Sequence, residues 1–318
     1  MNASHVRHRR VARMAVVAAA AAMSALAVMP GVANGDTPSS RPTPDKPCGV
    51  AQKAANTKYE HVVWIVMENK SFAQVNGSAD APYINKLAGL CGEATNYNAI
   101  TNPSLPNYIA MTSGSPQGVT DDADPPAHPL NVDSIFSQLG GDWRALNESM
   151  KTNCGQHTDG KYAPKHNPAA YYVEKNFSTL CQQKDIPFDN TASTPDLSGK
   201  FTFITPDLCD DMHDNCAGTG VPGELQTGDK YVSTLIPQLI NSTEYQSGNT
   251  AIVLTWDEGG AGSNQVLTEV IAPTVVPGTK ASDAFTHYSL LRTTEDMLGL
   301  PPLGEATKAA SMRNAFSI

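Results

Sequence analysis

His61-Val-Val-Trp-Ile-Val-Met67 is a continuous apolar run that stops on Glu68-Asn69. A strand with one wet face alternates apolar and polar residues, so a run without alternation predicts a strand buried on both faces, as in a parallel sheet. Ala81 to Leu90 follows with helical spacing, and the order then returns. Lys200-Phe-Thr-Phe-Ile-Thr205 predicts a strand, Gly228 to Ile240 a helix interrupted near Pro237, and Thr250-Ala-Ile-Val-Leu-Thr-Trp256 another buried strand. Val266 to Ala272 and His287 to Leu298 add a strand and a helix. This is the order of an open α/β sheet. Neither an internal repeat nor a linker is visible, so residues 48–318 are expected to form a single domain.

Outward from this core the chain changes character. Arg7, Arg9, Arg10 and Arg13 precede a run of Ala, Val, Leu and Met from Met14 to Met29, the order of a secretory signal peptide over residues 1–33. The run is shorter than the roughly 20 residues needed to span a bilayer, and no later segment predicts a transmembrane helix, so a secreted, extracellular protein is expected. Residues 34–47 form a Pro/Ser/Thr leader without apolar periodicity, expected to be flexible. The formal charge of the whole chain is −9; cleavage removes four arginines and no acid, taking it to about −13 by the same counting. Such a chain lacks the basic face of a nucleic-acid binder. Six cysteines in a secreted chain predict three disulfides, and the nearest-neighbour set is Cys48 with Cys91, Cys154 with Cys181, and Cys209 with Cys216. Asp121 to Pro129 and Asn153 to Pro195 are polar and proline-rich and are expected as long loops over the strand ends.

Ligands of open α/β sheets sit beyond the carboxyl ends of the strands. There the chain places Glu68-Asn69, Asp257-Glu258, and Asp207 with the segment Asp210-Asp-Met-His-Asp214. Asp257 and Glu258 point to opposite sides of a straight strand, so Gly259-Gly260 must turn the chain for both to converge. Carboxylates from three strand ends suit a divalent cation: Mg, Ca or Mn, with histidine admitting Zn or Fe. Ser104, between two prolines in Asn102-Pro-Ser-Leu-Pro-Asn-Tyr108, precedes a helical run. It reads either as a nucleophile at a helix N-terminus, where phosphate is readily held, or as an ordinary N-cap. His166, His213 and His287 are the histidines left for the site once strand, loop and signal-peptide positions are set aside.

Met67-Glu-Asn-Lys-Ser-Phe72, Asn102-Pro-Ser-Leu-Pro-Asn-Tyr108, Asp210-Asp-Met-His-Asp214, Thr255-Trp-Asp-Glu-Gly-Gly260 and Thr286-His-Tyr-Ser-Leu-Leu-Arg292, in this order, resemble the bacterial phosphoesterase family of secreted acid phosphatases and phospholipases C, within the alkaline-phosphatase-like superfamily. The resemblance implies a doubly wound, mostly parallel sheet with helices on both faces. It implies that Glu68, Asn69, Asp257, Glu258 and the Ser104 hydroxyl hold a metal, that Asn107 donates to a phosphate oxygen, and that His166 and His213 surround the phosphoryl group. A second metal position would use Asp207 and His287. Asn102 stands where acid phosphatases of the family commonly have histidine, a role His128 could supply. Ser263-Asn-Gln-Val266 replaces the Tyr-Asp-His-Val segment common in the phospholipases, which moves the expectation toward the small acid phosphatases.

The expected function is therefore a metal-dependent phosphatase that hydrolyses small-molecule or lipid phosphate monoesters through a phosphoserine. The alternatives are a phospholipase C or other phosphodiesterase using the same centre, and a non-catalytic secreted protein stabilised by a cation.

Overall fold

A computed structural model describes residues 41–51, 57–174, 177–216, 223–260 and 262–318; the expected signal peptide and the first part of the leader lie outside them. Among the described residues, nine strands form one sheet: β1 (His61–Met67), β2 (Gly92–Asn98), β3 (Trp143–Glu148), β4 (Asp185–Phe188), β5 (Phe201–Thr205), β6 (Thr250–Trp256), β7 (Gln265–Ile271), β8 (Thr279–Ala281) and β9 (Phe285–Thr286). The order is β4-β3-β5-β1-β6-β7-β2-β8, with β9 also on β2. Only β7 runs antiparallel to its neighbours β6 and β2. The longer helices are α1 (Pro82–Leu90), α2 (Ser104–Ser113), α3 (Phe177–Lys184), α4 (Glu224–Asn241) and α5 (His287–Leu298). α1 packs on α4 and α2 on α5, two helical layers that leave β6 buried along its whole length. β1 lies between β5 and β6, with Trp64 edge-on to Phe201 at 4.8 Å.

Three expectations change here. α4 runs unbroken through Pro237. An interior proline costs about 3 kcal/mol, whereas each buried side chain of the stripe Tyr231, Val232, Leu235, Ile236, Leu239 and Ile240 contributes roughly 1.5–3 kcal/mol, so packing holds the helix. The span 153–195 is not only loop: it contains α3 and β4, the latter extending the sheet beside β3. Phe177 stacks on Trp143 at 5.6 Å and Cys181 is bonded to Cys154, while the other α3 side chains are largely wet, which hides the periodicity. Finally, residues 41–47 are anchored rather than loose. Tyr245 donates to Pro47 O at 2.9 Å, Gln246 Nε2 to Pro42 O at 2.9 Å, and Lys86 pairs with Asp45 at 2.9 Å. Prolines have no N–H to satisfy, and their carbonyls serve as acceptors for the neighbouring side chains. The disulfides are Cys48–Cys91, Cys154–Cys181 and Cys209–Cys216, the nearest-neighbour set.

A buried acid pair lies between β2 and β7, where Glu93 and Glu269 are register partners. Lys280 reaches Glu93 at 3.1 Å, but neither oxygen of Glu269 has a well-aligned donor. Burial, then Glu93 and Asp229, hold the Glu269 carboxyl well above the usual range, with the Ala88 amide acting weakly the other way. A raised acid stabilises the fold below its unfolded pKa and loses that contribution as pH rises through the folded one. Glu269→Gln is therefore expected to raise stability at pH 8 by about 1–3 kcal/mol, the cost of an unsatisfied buried polar group, and to change little near pH 4. Thermal melts of both proteins across pH measure this; a variant less stable at every pH would contradict it.

Candidate active site

The sheet brings the ends of β1 and β6 to one level. Met67 and Trp256 are register partners, and Asp257 N–H donates to Met67 O at 3.0 Å, so Glu68 and Asp257 emerge side by side. Asn69 has a φ of 53°, a left-handed conformation that asparagine tolerates. Its N–H donates to Asp257 Oδ1 at 3.3 Å and its Nδ2 to Glu68 Oε2 at 3.1 Å. After Glu258 the chain folds back tightly. A Cβ on Gly259 would collide with the Ser263 carbonyl, and one on Gly260 would lie 2.7 Å from Asn69 O, so the two glycines allow this turn.

Ser104 is the first residue of α2, and Pro103 is the N-cap, so the capping reading of the serine does not hold. Its Oγ instead donates to Glu68 Oε2 at 3.0 Å, while Asp122 Oδ1 accepts from Leu105 N–H at 3.0 Å and takes over the capping. Tyr108 lies one turn further on the same face; its hydroxyl donates to Glu68 Oε1 at 2.6 Å and its ring stacks on His166 at 5.4 Å. Asn107 braces the approach to the serine. Its Oδ1 accepts from Ile100 and Thr101 N–H, each at 3.0 Å, and its Nδ2 donates to Thr101 O at 2.8 Å and Glu258 Oε2 at 3.4 Å.

On the other side, His166 is buried with Nε2 3.1 Å from Glu68 Oε1 and Nδ1 3.2 Å from Asp211 Oδ2. Neither approach has the alignment of a hydrogen bond. Burial, then Lys165 and His213, push its pKa well down, so the ring is neutral. Asp211 ties the wall together: its carbonyl accepts from Glu68 N–H at 2.8 Å and its Oδ1 from His213 N–H at 2.7 Å. His213 is partly exposed, with Nδ1 2.7 Å from Asp214 Oδ1 and Nε2 3.3 Å from Lys165 Nζ.

Glu68, Asn69, Ser104, Asn107, His166, His213, Asp257 and Glu258 therefore share one site. Asp207 and His287 do not meet, so the second metal position expected from them is not formed. Asp207 Oδ2 accepts from Ser149 Oγ at 2.7 Å, and its carboxylate groups with Glu148 and Asp210. Both nitrogens of His287 are engaged, Nδ1 with Tyr97 OH at 3.0 Å and Nε2 with the Asp257 carbonyl. Burial lowers its pKa to about 4, leaving it a neutral brace behind Asp257. His128 is held by Asp121 at 2.6 Å. Residue patterns did not mark Tyr108, Asp122 or Lys165 as site members, and they marked Asp211 only as part of the Asp210–Asp214 segment; the spacing of four from Ser104 was the available signal for Tyr108.

The carboxylates of the site crowd one another. Burial, reinforced by Asp257, holds Glu68 and Asp211 well above the usual carboxylate range; burial pushes Asp257 up to about 6 and, with Asp257 beside it, Glu258 up to about 8. Asp257 Oδ2 and Asp211 Oδ2 are buried without a donor. Ligand atoms of Glu68, His166 and His213 also lie within 4.8 Å of one another. Crowded carboxylates with unpartnered oxygens fit a divalent cation. The Cys154, Cys181 and Asp185 group does not, since both sulfurs are in a disulfide.

A buried serine hydroxyl is thus set against carboxylates at the open edge of a mostly parallel sheet. A model of the Phosphoesterase family matches residues 78–301, and the chain belongs to that family. It is 33% identical over 271 residues to a phosphatidylinositol-3-phosphatase of Mycobacterium tuberculosis, covering 82% of this chain and 84% of that one. It is 30% identical over 231 residues to an acid phosphatase of Aspergillus fumigatus, covering 66% of this chain and 49% of the fungal protein, about half its length. In fold it is similar to an alkaline phosphatase superfamily protein from Vibrio parahaemolyticus, with a TM-score of 0.55 at 11% identity over 86% of this chain and 74% of that one. The lipoteichoic acid synthase LtaP from Listeria monocytogenes gives a TM-score of 0.52 at 13% identity over 80% and 76%. The protein is thus a phosphatase acting on phosphate esters, and the non-catalytic alternative falls away. Among the described residues, no helix is long and apolar enough to cross a membrane.

Proposed function

We propose that the protein is a secreted, divalent-metal-dependent phosphomonoesterase that works through phosphorylated Ser104. One observation carries the reading: Ser104 Oγ meets Glu68 at 3.0 Å, beside the unpartnered Asp257 Oδ2. Glu68, Asn69, Asp257, Glu258 and Ser104 are the residues that would hold the cation, one of Ca, Mg, Mn, Zn or Fe. When bound, it supplies Lewis-acid charge that favours the serine alkoxide and stabilises phosphoryl oxygens.

The protein's own groups perform the remaining steps. Ser104 Oγ passes its proton to Glu68 Oε2, to which it already donates, and attacks phosphorus as the bond to the leaving oxygen breaks; His213, at the open rim, gives that oxygen a proton. Water then attacks phosphorus and gives a proton back to His213, the Ser104 ester bond breaks, and Ser104 Oγ recovers its proton from Glu68. His166 and Tyr108 keep Glu68 oriented. Asn107 is assigned a bracing role in place of direct phosphate donation, because its donors are already spent on Thr101 O and Glu258. The signal-like N-terminus and three disulfides support export. Both relatives are named as phosphatases, which favours a monoester, soluble or lipid-borne, over the diester of a phospholipase C.

Acid-quenched turnover of p-nitrophenyl phosphate is expected to leave phosphate on the peptide containing Ser104, found by mass spectrometry. Exhaustive chelation is expected to cut turnover by at least about 10²-fold, with recovery on adding one of these divalent ions. Full turnover in metal-free protein would remove metal dependence, and faster release of phosphocholine from phosphatidylcholine would favour the diesterase.

A further inference from the structure

A phosphomonoester brings a charge of about −1.5 to −2 at pH 7 toward a wall already lined by Glu68, Asp211, Asp257 and Glu258. Lys165 is the basic side chain that faces this wall. It sits in the short turn Pro164–His166, immediately before His166, with its side chain only 19% exposed. Its Nζ lies 3.2 Å from Asp122 Oδ2 and 3.3 Å from His213 Nε2. Burial alone would lower its pKa, but attraction to Glu68 and Asp122 outweighs this and raises it, so the group is an ammonium at neutral and acidic pH.

The donor count leaves something over. His213 Nδ1 lies 2.7 Å from Asp214 Oδ1 and its Nε2 3.3 Å from Lys165 Nζ. An ammonium has three N–H donors, and Asp122 and His213 face at most two of them. Asp122 also fixes where the third can act. The same carboxylate that holds Lys165 with Oδ2 caps the serine's helix with Oδ1, so ammonium and nucleophile are set by one side chain. A merely structural ion pair at this partly exposed position would contribute only about 0–1 kcal/mol.

We propose that Lys165 is a phosphate-binding residue of this site: its remaining N–H donates to a non-bridging oxygen of the substrate and of released inorganic phosphate, with Asp122 and His213 as its anchors. The assignment rests on the reading of Ser104 as nucleophile. Lys165→Met, Lys165→Gln and Lys165→Arg are compared with the unaltered protein, in its metal-loaded form, for turnover of p-nitrophenyl phosphate, competitive inhibition by inorganic phosphate, and the rise in Tm caused by phosphate. The methionine variant is expected to lower kcat/KM by about 10²-fold, the scale of losing one charge-stabilising donor. Its phosphate inhibition constant should rise at least about 10-fold and the phosphate-induced rise in Tm should shrink accordingly, while Tm without phosphate changes little. Arginine is expected to restore part of both. An unchanged phosphate inhibition constant in folded Lys165→Met would overturn the assignment; should that variant not fold, an unchanged constant in Lys165→Gln would do so. Undiminished turnover in Ser104→Ala would instead sink the nucleophile reading. Loss of turnover there, with unchanged phosphate inhibition in the lysine variants, would sink this assignment alone.

Discussion

Replacing Ser104 with alanine is expected to lower kcat/KM for p-nitrophenyl phosphate by at least about 10⁴-fold, the scale seen when a covalent nucleophile is removed from a unit that acts together. The change deletes one hydroxyl at a position only 1% exposed and leaves the backbone of α2 untouched, since the serine does not cap its helix. Glu68 Oε2 keeps its bond from Asn69 Nδ2, so the stability cost should be that of one hydrogen bond, about 1 kcal/mol. A large loss of rate with a small loss of Tm is therefore the expected signature. Turnover within a few fold of the unaltered protein would show that another group attacks phosphorus.

Glu68→Gln should have the next largest effect, with kcat falling at least about 10³-fold, as for other pre-organised electrostatic groups. Glu68 Oε2 accepts from Ser104 and Asn69, and Oε1 accepts from Tyr108. An amide cannot serve all three as acceptor. With its nitrogen at the Oε2 position it meets the amide donor of Asn69; turned over, it faces the Tyr108 hydroxyl. The same substitution removes a buried charge beside Asp257 and Asp211. These effects oppose each other in metal-free protein, so its Tm should change little. They act together in the response to metal: the unaltered protein should gain Tm with a divalent ion by mass action, and the variant should not. Equal metal content and equal metal-induced Tm gain in both proteins would remove Glu68 from the ligand set.

The sequence was most legible where one physical demand governed a whole segment. β1 and β6 are buried on both faces and had to be apolar throughout; their predicted limits match the structure, as do those of α5. β2 and β3 were missed because they bury polar side chains with partners distant in sequence. Glu93 takes Lys280, and Asn147 Nδ2 donates to Asp185 at 2.6 Å, so neither strand displays an apolar pattern. The same distinction runs through the site. Glu68 and Asp257 follow directly from strands whose ends are visible in the chain. Lys165 and Asp122 matter through a contact across 43 residues, and no local spacing signals it. His287 shows the converse: its position at the head of α5 was evident, but the carbonyl and tyrosine that occupy its ring depend on how β2 and β6 pack.

The bond between Cys209 and Cys216 spans only 7 positions, and within that span lie Asp211 and His213. Closing so short a loop removes on the order of 2.5 kcal/mol of freedom from the open chain, on the chain-entropy account. Little of the sheet depends on this clasp, because β1, β5 and β6 are held by their own pairing. What the clasp organises is the wall that faces the phosphoryl group. Such bonds form and persist mainly in oxidising surroundings. The redox state of the surroundings therefore bears on the wall that carries Asp211 and His213 more than on the paired strands, so one short covalent closure ties the geometry of the reaction centre to a chemical condition the scaffold does not share.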